Sequence, residues 1–360
     1  MTNLPERVAE TALEDLTDRA ILISDLESRT FYLPPLAAQF IKTHSPKAVI
    51  KTGDIFMFHA YEYAMKCGSV TNDMEKYSAL EYEWDFLFSA LPLLLKGDND
   101  RLQKFYSQID RFLDFTGKWD DIILIASAAE KRAIVANDME NAGLRAYQVG
   151  WIYYLRNQPE EVLEYATRAV EHWRESSLRN KADVIRLRGH GFTLTENWDF
   201  ALNAYQEALE IYRLMDSESD DVANALNSLA NIQCENKEYD IAECNYLEAL
   251  RIAKNNDYNE GLAVYTGNLS ELAFTREQWV RAECLARQAL GQAEIVGRKE
   301  LIAGTCLQVA KAQLKQKQNL LEAKTLAMRA VQICLHINMP RELLGAQQIV
   351  EEIEQAISGE

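Results

Sequence analysis

Tyr147, Trp151 and Tyr154 fall at the spacing of one helix face. Arg186 and His190 stand one turn apart further on, followed by Asn224, Asn227 and Asn231 and then Glu271. Aromatic rings can anchor an apolar side chain, a guanidinium can hold a carboxylate through two parallel hydrogen bonds, and an asparagine amide can both donate to and accept from a peptide backbone. This is chemistry for holding a peptide or protein segment. A second use is open to the same residues: the aromatics can pack between neighbouring helices, and the asparagines can bond to them.

Residues for bond-breaking chemistry are missing. No HExxH, GxSxG or GxGxxG pattern occurs, and Gly189-His190-Gly191 is only a glycine pair in a helical stretch. The five histidines, at 44, 59, 172, 190 and 336, are too scattered to suggest a metal site. Acidic pairs such as Glu160-Glu161 and Glu351-Glu352 read as solvated helix surface. No enzymatic activity, cofactor or metal is expected.

A net charge of −17 opposes binding to nucleic acid or to an anionic membrane, both of which require clustered Lys and Arg. One stretch breaks the acidic background: His172 to His190 carries Arg174, Arg179, Lys181, Arg186 and Arg188, where an acidic segment could dock or a solvated loop balance nearby carboxylates. With 48% apolar residues, the 360-residue chain can bury a continuous core, while 7 Pro and 15 Gly are too few for many short strands. Six cysteines without a CxxC pair, no basic-plus-apolar leader pattern and no apolar run near the ~18 residues that span a bilayer imply a cytoplasmic protein.

The elements that must position these side chains announce themselves by repetition. Arg168-Ala169-Val170, Glu207-Ala208-Leu209, Glu248-Ala249-Leu250, Gln288-Ala289-Leu290 and Arg329-Ala330-Val331 return at steps of 39, 41, 40 and 41 residues. One helical hairpin stacked repeatedly reads this way. In the unit Asp221 to Asn255, Leu226, Leu229, Ala230 and Ile232 mark one helix, and Tyr239, Ala242, Tyr246, Ala249 and Leu250 mark a second after a polar loop. Small residues are expected where paired helices cross: Gly150 with Val162, Gly189 with Ala201, Ala230 with Ala242, Ser270 with Ala282, and Ala310 with Ala323. Upstream, a helix over 102–115, helices over 55–66 and 74–95, and about six units after residue 100 are predicted.

Leu229-Ala230 followed by Ala242, Tyr246 and Ala249 resembles the tetratricopeptide repeat, with a step near 40 residues that is similar to the units of kinesin light chains. The resemblance implies an all-α, right-handed superhelical solenoid of antiparallel helix pairs. It also implies a concave groove lined by the first helix of each pair, carrying Tyr147, Trp151, Tyr154, Arg186, His190, Asn224, Asn227, Asn231 and Glu271. A peptide or protein is the expected partner. Asn231 and Arg186 match the carboxylate-clamp members of that family in type, though a complete clamp is not present.

Residues 1–45 do not follow the repeat. A helix over 5–16, a short hairpin around Ile21-Leu22-Ile23 and Phe31-Tyr32-Leu33, and a helix after Pro34-Pro35 give the order helix, hairpin, helix. With Leu80-Glu81-Tyr82-Glu83-Trp84-Asp85 this order resembles the winged-helix end and sensor arm of STAND-type (NB-ARC) NTPases. Three segments result: 1–45, partial winged helix; 46–100, linker helices; 101–360, repeats. Gly117-Lys118-Trp119 is no phosphate loop, so the chain lacks that family's ATP site. The implied role is a signalling or defence sensor, whether in a fragment of a larger protein or in one whose first 45 residues cap the solenoid. The alternative, a transcriptional regulator with 1–45 on DNA, is opposed by Glu6, Glu10, Glu14 and Asp15 on a helix whose one cation is Arg7. Self-association through the solenoid ends also remains open.

Overall fold

The computed structural model describes residues 6–19, 22–25, 30–68 and 74–358. Pro5, Ile21 and most of the hairpin turn (26–29) lie outside the described residues. The chain divides into two compact units, Met1–Ile109 and Asp110–Glu360.

The first unit contains α1 (Glu6–Asp18), β1 (Ile23–Asp25), β2 (Thr30–Tyr32), α2 (Pro35–His44), α3 (Pro46–Cys67), α4 (Met74–Tyr82), α5 (Trp84–Leu94) and the start of α6 (Asn99–Thr116). The two short strands pair antiparallel, with Ile23 opposite Tyr32 and Asp25 opposite Thr30. Pro35 occupies the first turn of α2, where its missing N–H costs nothing. The single helix predicted over 74–95 is two helices. The backbone leaves helical geometry at Glu83 (φ −102°, ψ 13°), and α5 restarts to bury Trp84, Leu87, Ala90, Leu91 and Leu94.

Helices then follow without interruption: α7 (Trp119–Val135), α8 (Met139–Leu155), α9 (Pro159–His172), α10 (Leu178–Leu194), α11 (Trp198–Met215), α12 (Asp220–Glu235), α13 (Tyr239–Asn255), α14 (Asn259–Thr275), α15 (Trp279–Val296), α16 (Lys299–Gln316), α17 (Leu320–His336) and α18 (Pro340–Ser358). Each packs against the next, and the short links require neighbours to run antiparallel.

Eight of the eleven links between α7 and α18 share one geometry at a non-glycine residue. A residue in left-handed conformation ends the helix at Asn137, Asn157, Glu196, Lys237, Asp257, Glu277, Lys317 and Asn338. The next N–H reaches back to the last turn, as from Glu238 to the Gln233 carbonyl (2.8 Å) and from Gln278 to that of Ala273 (2.9 Å). Crossings fall on the small residues. Ser270 Oγ donates to the Ala282 carbonyl at 2.8 Å, Ala230 and Ala242 are fully buried in one cluster, and a Cβ on Gly189 would stand 2.6 Å from the Tyr205 ring.

The second unit also fastens to itself across a long span of sequence. Arg298, at the α15–α16 link, donates through Nη1 to Glu260 (2.7 Å) and through Nη2 to Asp114 at the end of α6 (3.3 Å), while its Nε bonds Glu300. Lys299 Nζ donates to the Thr116 carbonyl at 3.4 Å. Beside them Gly117 adopts φ 74° against Ile337, where a Cβ would come within 2.4 Å of Cγ2. A side chain there would be both strained and overlapped.

Candidate functional site

Curling the helix pairs so that residues 114–117 meet 298–299 and 337 leaves a partly open cavity of about 450 Å³. Eight of the nine sequence-predicted positions line it: Tyr147, Trp151 and Tyr154 from α8, Arg186 and His190 from α10, and Asn224, Asn227 and Asn231 from α12. Glu271 does not; it is exposed on α14 outside the cavity. In its place α14 presents Asn268. Asn268 bonds Asn227, whereas the step of 40 between these two units carries Asn227 onto Gly267, one residue short of it. Glu260, Arg298 and Glu300 also join the wall, and nothing local in the sequence marks them, because their place depends on the long-range clasp.

The asparagines form a bonded ladder. Tyr265 OH donates to Asn224 Oδ1 (3.0 Å), Asn268 Nδ2 to Asn227 Oδ1 (2.7 Å) and Tyr246 OH to Asn231 Oδ1 (2.6 Å). Their carbonyl oxygens are thus committed to the protein, which orients the side chains and leaves the amide nitrogens of Asn227 and Asn231 as donors at the cavity wall.

Arg186 is held differently from a carboxylate clamp. Its Nη2 donates to Tyr147 OH (3.1 Å), its guanidinium lies 5.9 Å from the Trp151 ring centre, and its Nε is buried without a partner. One fork of the guanidinium is therefore spent on the tyrosine, and the two-pronged carboxylate grip is not preformed. Burial pushes the Tyr147 hydroxyl up to about 12, so it remains protonated at neutral pH.

His190 is 6% exposed and wedged among rings. Tyr154 stacks on it at 4.2 Å, while Trp151 meets it edge-on at 5.6 Å. Its Nδ1 is 2.8 Å from Tyr205 OH, and its Nε2 is buried with no partner. Burial, with Arg186 beside it, holds the imidazole well below the ordinary histidine range.

Stability therefore depends on pH through His190. The unfolded chain takes up the His190 proton near 6.5, whereas the folded chain resists it to lower pH. The stabilisation is complete above 6.5 and is lost as pH falls below it, by up to about 1.4 kcal/mol per pH unit. Urea unfolding of the native chain and of His190→Gln at about pH 7.5 and 5.5 should show a smaller acid loss in the variant. Equal losses would contradict the assignment.

Two of the five cations of the basic stretch are engaged within the fold: Arg179 pairs with Asp221 at 2.9 Å, and Arg186 lines the cavity. Among the described residues no group of His, Cys, Asp and Glu could hold a metal ion, and no helix is long and apolar enough to cross a membrane.

The tetratricopeptide repeat family model matches residues 180–255 and 221–294. No curated protein sequence matches significantly. Among solved structures, a Rap protein complexed with Competence and Sporulation Factor is similar over 85% of this chain and 88% of its own, at 14% identity and a TM-score of 0.54. BtubC (BKLC) from P. vanneervenii is 20% identical, with 61% of this chain and 92% of that one covered and a TM-score of 0.46. A STAND protein with a tetratricopeptide repeat sensor from Pyrococcus horikoshii matches 96% of this chain but 57% of its own, at 13% identity and a TM-score of 0.48. The matched segment coincides with α10 to α15, the helices that carry the arginine, the histidine and the asparagine ladder. Residues 180–294 are tetratricopeptide repeats, set in a solenoid of paired helices that lines the cavity.

Proposed function

We propose that the cavity binds a peptide, free or as a segment of a partner protein, and that the chain acts by recognition without catalysis. The observation that carries this reading is the ladder along α12, where the carbonyl oxygens of Asn227 and Asn231 are tied to Asn268 and Tyr246, so that the amide nitrogens of two residues lining the cavity remain to donate. An extended backbone presents acceptors at that kind of interval, and the aromatic wall of Trp151 and Tyr154 offers an anchor for one side chain. The complex named for the Rap structure makes a bound partner a natural use of this fold, although likeness at 14% identity assigns no residue. We infer further that the chain is a cytoplasmic sensor whose bound state differs from its free state in the clasp at Arg298, because Glu260, Arg298 and Glu300 line the same cavity. The helix, hairpin and helix before residue 45 support a place in a STAND-type signalling protein.

The test is capture from a lysate of the source cells by the full chain and by the Arg186→Ala/Asn231→Ala variant, with retained peptides and proteins identified by mass spectrometry. The variant should hold the native chain's partner at least about thirtyfold more weakly while keeping its helical circular dichroism. Equal retention would remove the cavity from consideration.

A further inference from the structure

The protons around His190 can be placed one by one. Thr193 Oγ1 lies 2.9 Å from the Gly189 carbonyl oxygen, which can only accept, so Thr193 donates there. Its single proton is then used. Tyr205 OH, 3.0 Å from Thr193 Oγ1, must donate to it, and His190 Nδ1, 2.8 Å from the tyrosine oxygen, must supply the remaining proton. Any other assignment leaves one of these three short approaches without a hydrogen between its atoms. The relay therefore starts at a backbone carbonyl and ends by fixing the imidazole as its Nδ1–H tautomer. In a neutral ring, Nε2 then carries a lone pair.

That lone pair is buried at the cavity wall without a partner. One helical turn away, Arg186 offers the opposite: an Nε–H donor, also buried and unpartnered. The charge of Arg186 is already faced by Asp183 on the same helix, whose Oδ1 accepts from Tyr212 OH at 2.5 Å. A carboxylate at this place could satisfy Arg186 but would set an oxygen lone pair against that of His190. A carboxamide supplies an oxygen for one and an N–H for the other.

We propose that Arg186 and His190 form a subsite selective for a neutral carboxamide, the side chain of glutamine or asparagine in a bound peptide, and that Tyr205 is the positioning residue that sets this selectivity through the histidine tautomer. The inference rests on the peptide-binding reading above and replaces the carboxylate expected for Arg186 from sequence.

The probe is a set of synthetic peptide pools, each a short random segment with one position fixed as Gln, Asn, Glu or Asp and flanked by Gly-Ser so that neither terminus competes. The full chain should retain its best Gln or Asn pool about tenfold better than the matching Glu or Asp pool, the scale of one unmet buried partner. His190→Phe should erase that ratio while still retaining peptides. Tyr205→Phe releases Nδ1 from its obligation to donate, so the ratio should move toward the acidic pools; a merely structural loss would weaken all pools alike. Histidine-selective 15N NMR of the ligand-free chain should show an unprotonated Nε2 for His190, assigned by its loss in His190→Phe.

Retention with no amide preference, or a protonated Nε2 in the native chain, overturns the subsite and leaves peptide binding standing. No retention of any pool by the native chain overturns both.

Discussion

Replacing Arg298 with methionine should lower the stability of the full chain by about 3 kcal/mol, the cost of leaving partly buried carboxylates without their counter-charge. Arg298 is 6% exposed and faces Asp114, Glu260 and Glu300 from three helices, so its loss abandons three acidic groups at once. Burial already pushes the Glu300 carboxyl up, a sign that this environment tolerates the negative charge poorly. The methionine keeps most of the aliphatic volume, which confines the effect to charge and hydrogen bonding. Urea unfolding followed by circular dichroism measures the loss, and adding Asp114→Asn with Glu300→Gln should recover much of it by removing the orphaned charge. A stability within 1 kcal/mol of the native chain would show that the clasp does not hold in solution, and the cavity would then lack one wall.

The second large effect is an asymmetry. Glu130 on α7 is fully buried and accepts from Arg168 Nη2 (2.6 Å) and Nε (3.1 Å) and approaches His172 Nε2 (3.0 Å), both on α9. The Arg168 side chain is 29% exposed and stacks on Tyr165 with its guanidinium 4.3 Å from the ring centre. Removing the arginine strands a carboxylate in the interior, whereas removing the carboxylate leaves cations that still reach water. Arg168→Ala is therefore expected to cost about 3 kcal/mol, and Glu130→Leu distinctly less. Chemical denaturation of the two variants settles it, and a leucine variant as unstable as the alanine one would mean that the network stabilises by attraction and not by compensating a buried charge.

What the sequence disclosed is what repeats locally. The Ala169, Ala208, Ala249, Ala289 and Ala330 positions are all fully buried, because a small residue is required wherever one helix crosses its partner. Eight cavity residues were legible for the same reason: a repeat of near-constant length fixes which face of each helix turns inward. Glu271, one step of 40 after Asn231, lies outside the cavity, and α14 presents Asn268 there instead. Arg186 was legible in place and not in chemistry, since the Tyr147 hydroxyl that occupies its Nη2 stands 39 residues earlier. Arg298 was invisible, because its partner Asp114 lies 184 residues away and no periodicity connects them. The break at Glu83 went unseen as well, because the helical pattern persists across it.

That distant pairing changes how the repeats come apart. An array of stacked hairpins is held only between neighbours and frays from its ends, one hairpin at a time. Here the turn at 114–117 is tied to Arg298 and Ile337, so an end cannot open without also breaking contacts made to a helix link 184 residues away in sequence. The second unit thereby trades the graded melting of a zipper for the single cooperative transition of a closed circuit. Amide hydrogens in α8, α12 and α16 should then exchange through one shared opening, and a ligand seated inside should slow all of them by a common factor.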